Sequence, residues 1–200
     1  MFYNTSMSPE VRVFGLSGSL RVGSLNSALL RAACELAPEG MEIQTYLGLR
    51  DLPLYDEDRD TDDPPEAVRD LRQQITAADA LLIATPEYNY SIPGGLKNAI
   101  DWASRPYPMH SLRHKPVAVM GASMGNFGTV RAQLALRNVW LWTESIPVLK
   151  PEVHVFKAHE RFDEHGTLID EDTRTMVVAL LESLVTMVHR ARGEVLERAS

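Results

Sequence analysis

A single cysteine in 200 residues, Cys34, excludes an internal disulfide and a thiolate-held metal. It stands among Leu29, Leu30 and Ala33 in helical spacing and reads as a small buried hydrophobe. Lysine and arginine form no run longer than two residues, and 20 basic side chains face 27 acidic ones for a net charge of -7. A chain without a basic face cannot displace counterions from phosphates, so nucleic acid is not an expected partner. No stretch approaches 18 consecutive apolar residues, and the opening MFYNTSMSPEVRVFG has no charged head followed by an apolar segment. The expectation is a soluble, cytoplasmic protein with no membrane partner. Also missing are HExxH, GxGxxG and the GxxxxGK loop of nucleoside triphosphatases. His110 and His114, the histidine pair with the closest spacing, sit in a Pro-rich stretch and read as surface, so no metal is expected.

What is present is alternation. A hydrophobic content of 44% suits one compact domain over residues 1–200. Residues 11–16 read as a first strand, 41–46 as a second, 80–85 as a third and 116–120 as a fourth, with one or two further strand pieces over 146–156 around Pro147 and Pro151. Between them fall helical patterns from about Ser24, from Pro64 and Pro65 to Ala78, from Pro93 with Ser91 as its expected cap, and over 129–142; a closing helix runs from Asp170. Strands and helices in alternation demand a parallel sheet covered on both faces.

Loops at the carboxyl ends of such strands are where ligands sit. The first, SGSLRVGSLN, ends at a helix amino-terminus, which stabilises an anion through unpaired amides and partial positive charge. Ser17, Ser19, Ser24 and Asn26 add side-chain donors and Arg21 a full charge with a bidentate fork, which suits a terminal monophosphate better than a bridging pyrophosphate. A serine and glycine turn is also a common plain connection. The second stretch, PEYNYSIPGGLKNAIDW over residues 86–102, offers a rigid polar loop bearing Tyr88 and Tyr90 between two prolines. The third, 121–128, matches GxSxG around Ser123. In a serine hydrolase that serine would need a base, with His165, His189, Asp163 and Asp170 downstream, and an oxyanion loop of HGGG type, which is absent. The acidic run Asp56, Asp58, Asp60 mimics the start of a calcium loop. Thr61 and Ala67 occupy the positions of its glycine and bidentate glutamate, so it reads as a solvated loop.

Together GSLRVGSLN and PEYNYSIPGGLKNAIDW resemble the NADPH-dependent FMN reductase family of flavodoxin-like proteins, especially its chromate- and quinone-reducing branch, over about residues 11–156. The resemblance implies an α/β three-layer sandwich whose five-stranded parallel sheet has the order 2-1-3-4-5, with FMN at the switch point. It places the FMN phosphate on Ser19, Arg21, Ser24, Leu25 and Asn26, partly through main-chain amides. Pro86, Glu87, Tyr88 and Asn89 would line the isoalloxazine, and Ser123 would complete the site. NADPH or NADH would pass a hydride through FMN, in ping-pong fashion, to a quinone, azo, chromate or flavin acceptor. No side chain is then needed as acid or base, and no catalytic residue is named. Trp140 and Trp142 read as core packing or, alternatively, as an apolar patch covered by a second subunit; the family resemblance implies a homodimer or homotetramer, with Trp102 and the Trp140 to Trp142 region as candidate contacts. The alternative from another class is a one-electron carrier of flavodoxin type.

Overall fold

A computed structural model describes residues 10–194. Strand β1 (Val11–Ser17) lies between β2 (Met41–Thr45) and β3 (Ala80–Ala84), and β4 (Pro116–Ala122) pairs along the far side of β3, all parallel. Every residue of β3 is buried, as expected for an inner strand of a sheet covered on both faces. The last strand is split. β5 (Ile146–Pro147) pairs with the start of β4 and β6 (Val153–Val155) with its end, so the order is 2-1-3-4-5 with a sixth strand beside β4. Pro147 ends β5 and Pro151 lies within the gap, and proline cannot donate to a ladder.

Five helices cover the sheet. α1 (Leu25–Glu35) and α5 (Glu171–Ala191) close one face, burying Leu29, Leu30, Leu181 and Leu184 against Val13, Leu82 and Met120. α2 (Glu66–Ala77), α3 (Gly94–Ala103) and α4 (Val130–Trp142) close the other, where Leu71, Leu96, Trp102 and Trp140 pack on Phe14, Leu81 and Ile83. Asp170 caps α5 by accepting from the Thr173 amide at 3.0 Å, and His189 and Arg190 complement the dipole in its last turn.

Several expectations change. β4 runs two residues past Met120, because Gly121 and Ala122 pair with His154 and Val155. Ser91 does not cap α3; its amide and carbonyl are exchanged with Tyr88, and Pro93 occupies the cap position without a side-chain bond. Cys34 is only half-buried where α1 meets β2, its thiol 3.8 Å from Thr45 Oγ1, and burial raises its pKa. Trp102 and Trp140 are wholly core, which removes them as subunit contacts, whereas Trp142 is 71% exposed. The acidic loop is partly anchored: Trp102 Nε1 and Asn98 Nδ2 both donate to Pro53 O, and Asp60 pairs with Arg72 at 2.7 Å. Asp56 caps a short 3-10 turn, and no cluster suited to a metal occurs among the described residues.

Candidate functional site

The loops after β1, β3 and β4 meet at one rim, as strand order requires at a switch point. Gly18 N donates to Ala84 O at 2.8 Å and Thr85 N to Met120 O at 2.9 Å, which aligns the three strand ends. Across them, Asn26 bridges from the start of α1 to the end of β4: its Nδ2 donates to Ala122 O at 2.9 Å, and its Oδ1 accepts from Ala122 N at 2.8 Å. Asn26 is 4% exposed, so both main-chain groups of Ala122 depend on this carboxamide.

Ser24 is the N-cap of α1, accepting from the amides of Asn26 at 3.2 Å and Ser27 at 3.3 Å. These bonds leave the Leu25 amide, at the first helical position, with no acceptor among the described residues. Arg21 is exposed and has no carboxylate partner among the described residues. An unpaired guanidinium, an open helix amino-terminus and the hydroxyls of Ser19 and Ser24 form a donor set that fits a phosphate. The side chain of Asn26 serves Ala122 rather than the anion loop.

At the other end, Pro86 is buried and Tyr88, Asn89, Tyr90 and Ser91 form a tight turn. Tyr88 and Ser91 exchange backbone bonds of 3.1 and 3.0 Å, while Asn89 (φ 49) and Tyr90 (φ 67) are both left-handed, as in a type I′ turn. Tyr88 OH lies 3.4 Å from Ser19 Oγ, which links the two ends of the rim. Glu87 does not present its carboxylate to the rim. It accepts from Arg131 N at 2.9 Å and Ala132 N at 3.3 Å, capping α4, and pairs with Arg131 Nη1 at 3.0 Å. The Arg131 guanidinium lies over both Tyr90 (4.0 Å) and Phe127 (4.3 Å). Arg131 and Phe127 escape sequence reasoning because the ion pair joins residues 44 apart; the one available sign is a cation in the first turn of a helix, where it needs a nearby carboxylate.

The GxSxG segment has a packing origin. A side chain on Gly121 would stand 2.0 Å from Thr129 Oγ1 and 2.4 Å from Thr85 O, so only glycine lets β4 pass beneath α4. Ser123 Oγ donates to Gly125 O at 3.3 Å and meets no histidine among the described residues. Asp170 pairs with Arg161, Asp163 bonds within its own turn, and His189 pairs with Glu194. No triad is assembled among the described residues.

A parallel sheet of this order with three loops converging at its switch point, one an anion cradle and one an aromatic turn, defines a flavodoxin-like α/β protein. The sequence profile of the NADPH-dependent FMN reductase family matches residues 11–160. The chain belongs to that family of oxidoreductases. It is 49% identical over 187 residues to a protein of Pseudomonas aeruginosa named NAD(P)H-dependent FMN reductase, covering 94% of this chain and 100% of the relative. It is 38% identical over 188 residues to a quinone reductase of Escherichia coli strain K12, covering 93% and 100%. Among solved structures, FerB of Paracoccus denitrificans, a flavoenzyme NAD(P)H:(acceptor) oxidoreductase, superposes with a TM-score of 0.82 at 37% identity, covering 90% of this chain and 98% of that one.

Proposed function

We propose that this chain is an NAD(P)H-dependent quinone and flavin reductase that holds FMN across the three loops. The phosphate falls to Ser19, Arg21, Ser24, the Leu25 amide and the Asn26 turn, and the ring to Pro86, Glu87, Tyr88, Asn89 and Ser123. One observation carries the reading: an unpaired arginine beside an open helix amino-terminus is joined, through Ser19 and Tyr88, to a rigid aromatic turn. The spacing suits a ligand with an anionic tail and a flat ring.

Bound FMN supplies the hydride chemistry between a reduced nicotinamide and the acceptor. The residues bind and orient. Pro86 and the left-handed turn fix the shelf beneath the ring, and its edge meets main-chain groups of Glu87 and Asn89, those of Tyr88 being exchanged with Ser91. Glu87, neutralised by Arg131, keeps negative charge away from a ring that gains electrons. No group in the turn is required as acid or base. Nicotinamide and acceptor use the same exposed side in alternation, so the kinetics are ping-pong, with quinone, azo, chromate and free flavin acceptors competing for one place. The exposed outer row of α4, with Leu134, Leu141 and Trp142, supports self-association as a homodimer or homotetramer. No helix of the described residues is long and apolar enough to cross a membrane. The proposed cytoplasmic location is checked by cell fractionation.

The deciding experiment is reconstitution with FMN. The wild-type protein turns yellow with one FMN per chain, and Arg21→Ala weakens binding roughly ten- to hundredfold, the range of a lost charge-assisted contact. Unchanged affinity in that variant refutes the phosphate assignment. Parallel lines in double-reciprocal plots of NAD(P)H against quinone identify the alternating mechanism, whereas a one-electron carrier shows no NAD(P)H turnover.

A further inference from the structure

Next to the phosphate loop, on the β2 side of β1, the strand ends enclose a second cleft of about 280 Å³. Ser17, Ser27 and Thr45 line it together with Arg31 and Arg50. Neither arginine has a carboxylate partner among the described residues. Arg50 is held in place, with Nη2 donating to Leu20 O at 2.6 Å, so its guanidinium forms part of the wall between cleft and phosphate loop. At the mouth stand two leucines without cover, Leu20 at 44% and Leu47 at 85% exposure. Ser19 also lines this cleft, and its hydroxyl is 3.4 Å from that of Tyr88. One residue therefore separates the cleft from the aromatic turn.

Two cations, the hydroxyls of Ser17, Ser19, Ser27 and Thr45 and an apolar lip are the complement of a phosphorylated nucleoside: the lip takes the flat base and the arginines the phosphate. A ribose phosphate carries nearly two negative charges where NADH has a neutral hydroxyl. In a chain with a net charge of -7, the arginines are what make such a group welcome. We propose that this cleft binds the adenosine 2′-phosphate end of NADPH, with Leu20 and Leu47 against adenine and Arg31 and Arg50 on the 2′-phosphate, and so selects NADPH over NADH. The assignment rests on the reading of the chain as an NAD(P)H-dependent enzyme.

The test uses the FMN-loaded protein and two probes of equal charge, 2′,5′-ADP and 3′,5′-ADP, followed by calorimetry. The 2′,5′ isomer binds at least tenfold more tightly, and Arg31→Gln, an exposed residue remote from the phosphate loop's hydrogen bonds, removes that preference. In turnover, Arg31→Gln raises the KM for NADPH roughly ten- to hundredfold and leaves kcat and both NADH constants unchanged. Arg50→Gln shows the same split, with its FMN content measured separately because of the bond to Leu20. Equal binding of the two isomers marks an unselective anion site and overturns the proposal, as does an Arg31→Gln variant that keeps the preference or loses NADPH and NADH alike. If 2′,5′-ADP binds through Arg31 but neither nucleotide is oxidised, the cleft assignment stands and the reductase reading fails.

Discussion

The two ends of the rim are built on opposite principles. At the anion end, the Leu25 amide and the Arg21 side chain have no partner among the described residues. At the aromatic end every charge is matched: Glu87 has three donors, and Arg131 has a carboxylate and two rings. In the proposed site the first end gains its partners only with ligand, so ligand energy goes into ordering it. The second is set in advance and contributes shape. Preorganised ring support with an adaptable phosphate grip separates affinity from geometry, and variants at the two ends should fail in different ways.

Breaking the brace between the ends has the largest effect. Asn26→Ala leaves the buried amide and carbonyl of Ala122 unpaired, lowers unfolding free energy by about 2–4 kcal/mol and weakens FMN binding as well, as read from urea titrations of the protein with and without flavin. An unchanged midpoint would mean the bridge is incidental. Glu87→Gln comes next. It keeps the shape but removes charge from the α4 cap, costs about 1–2 kcal/mol in the flavin-free protein, and alters the visible circular dichroism of bound FMN. Arg21→Ala reverses this pattern, with unfolding of the flavin-free protein shifted by less than about 0.5 kcal/mol, since its side chain is exposed and unpaired. If both variants destabilise the apoprotein equally, the contrast between the ends is lost.

The smallest effect is on pH, and it lies away from the rim. Burial lowers the pKa of His110, and of His154, below the ordinary 6.5. Each stays neutral to lower pH in the folded chain than in the unfolded one, so the unfolded chain takes up more protons as pH falls through 6.5. Stability is full above that value and declines beneath it. Asp79 and Asp170 are shifted downward, and the stability they add is present above 3.8, so they are silent near pH 6. His110→Phe should flatten the loss in urea midpoint between pH 7.5 and 5.5; an equally steep loss assigns the effect to His154.

How far these features were legible depends on how local their causes are. The alternation of strands and helices and the helix starts at Ser24 and Asp170 follow from periodicity and capping within a few residues, whereas the strand order is legible only through the family resemblance. The aromatic turn was visible in its two prolines, yet Ser91 was assigned to the wrong partner because two consecutive left-handed non-glycine residues are rare and carry no composition signal. Nothing in the sequence marks Ala122 as the side-chain partner of Asn26 or Arg131 as that of Glu87, because the pairs stand 96 and 44 positions apart. The split between Trp140 in the core and Trp142 outside reflects helical phase, which a run apolar on both sides of α4 leaves undetermined.

The bond pair between Asn26 and Ala122 spans 96 positions of chain. During synthesis, the amino-terminal third of the protein can form its first strand and helix, but the proposed seat for the anionic tail stays unfinished until β3 and β4 have emerged and zipped into place. Cofactor capture is consequently a late event in maturation, and nascent chains stalled before Pro116 should leave the ribosome without flavin. Completion of the central sheet acts as the checkpoint for loading.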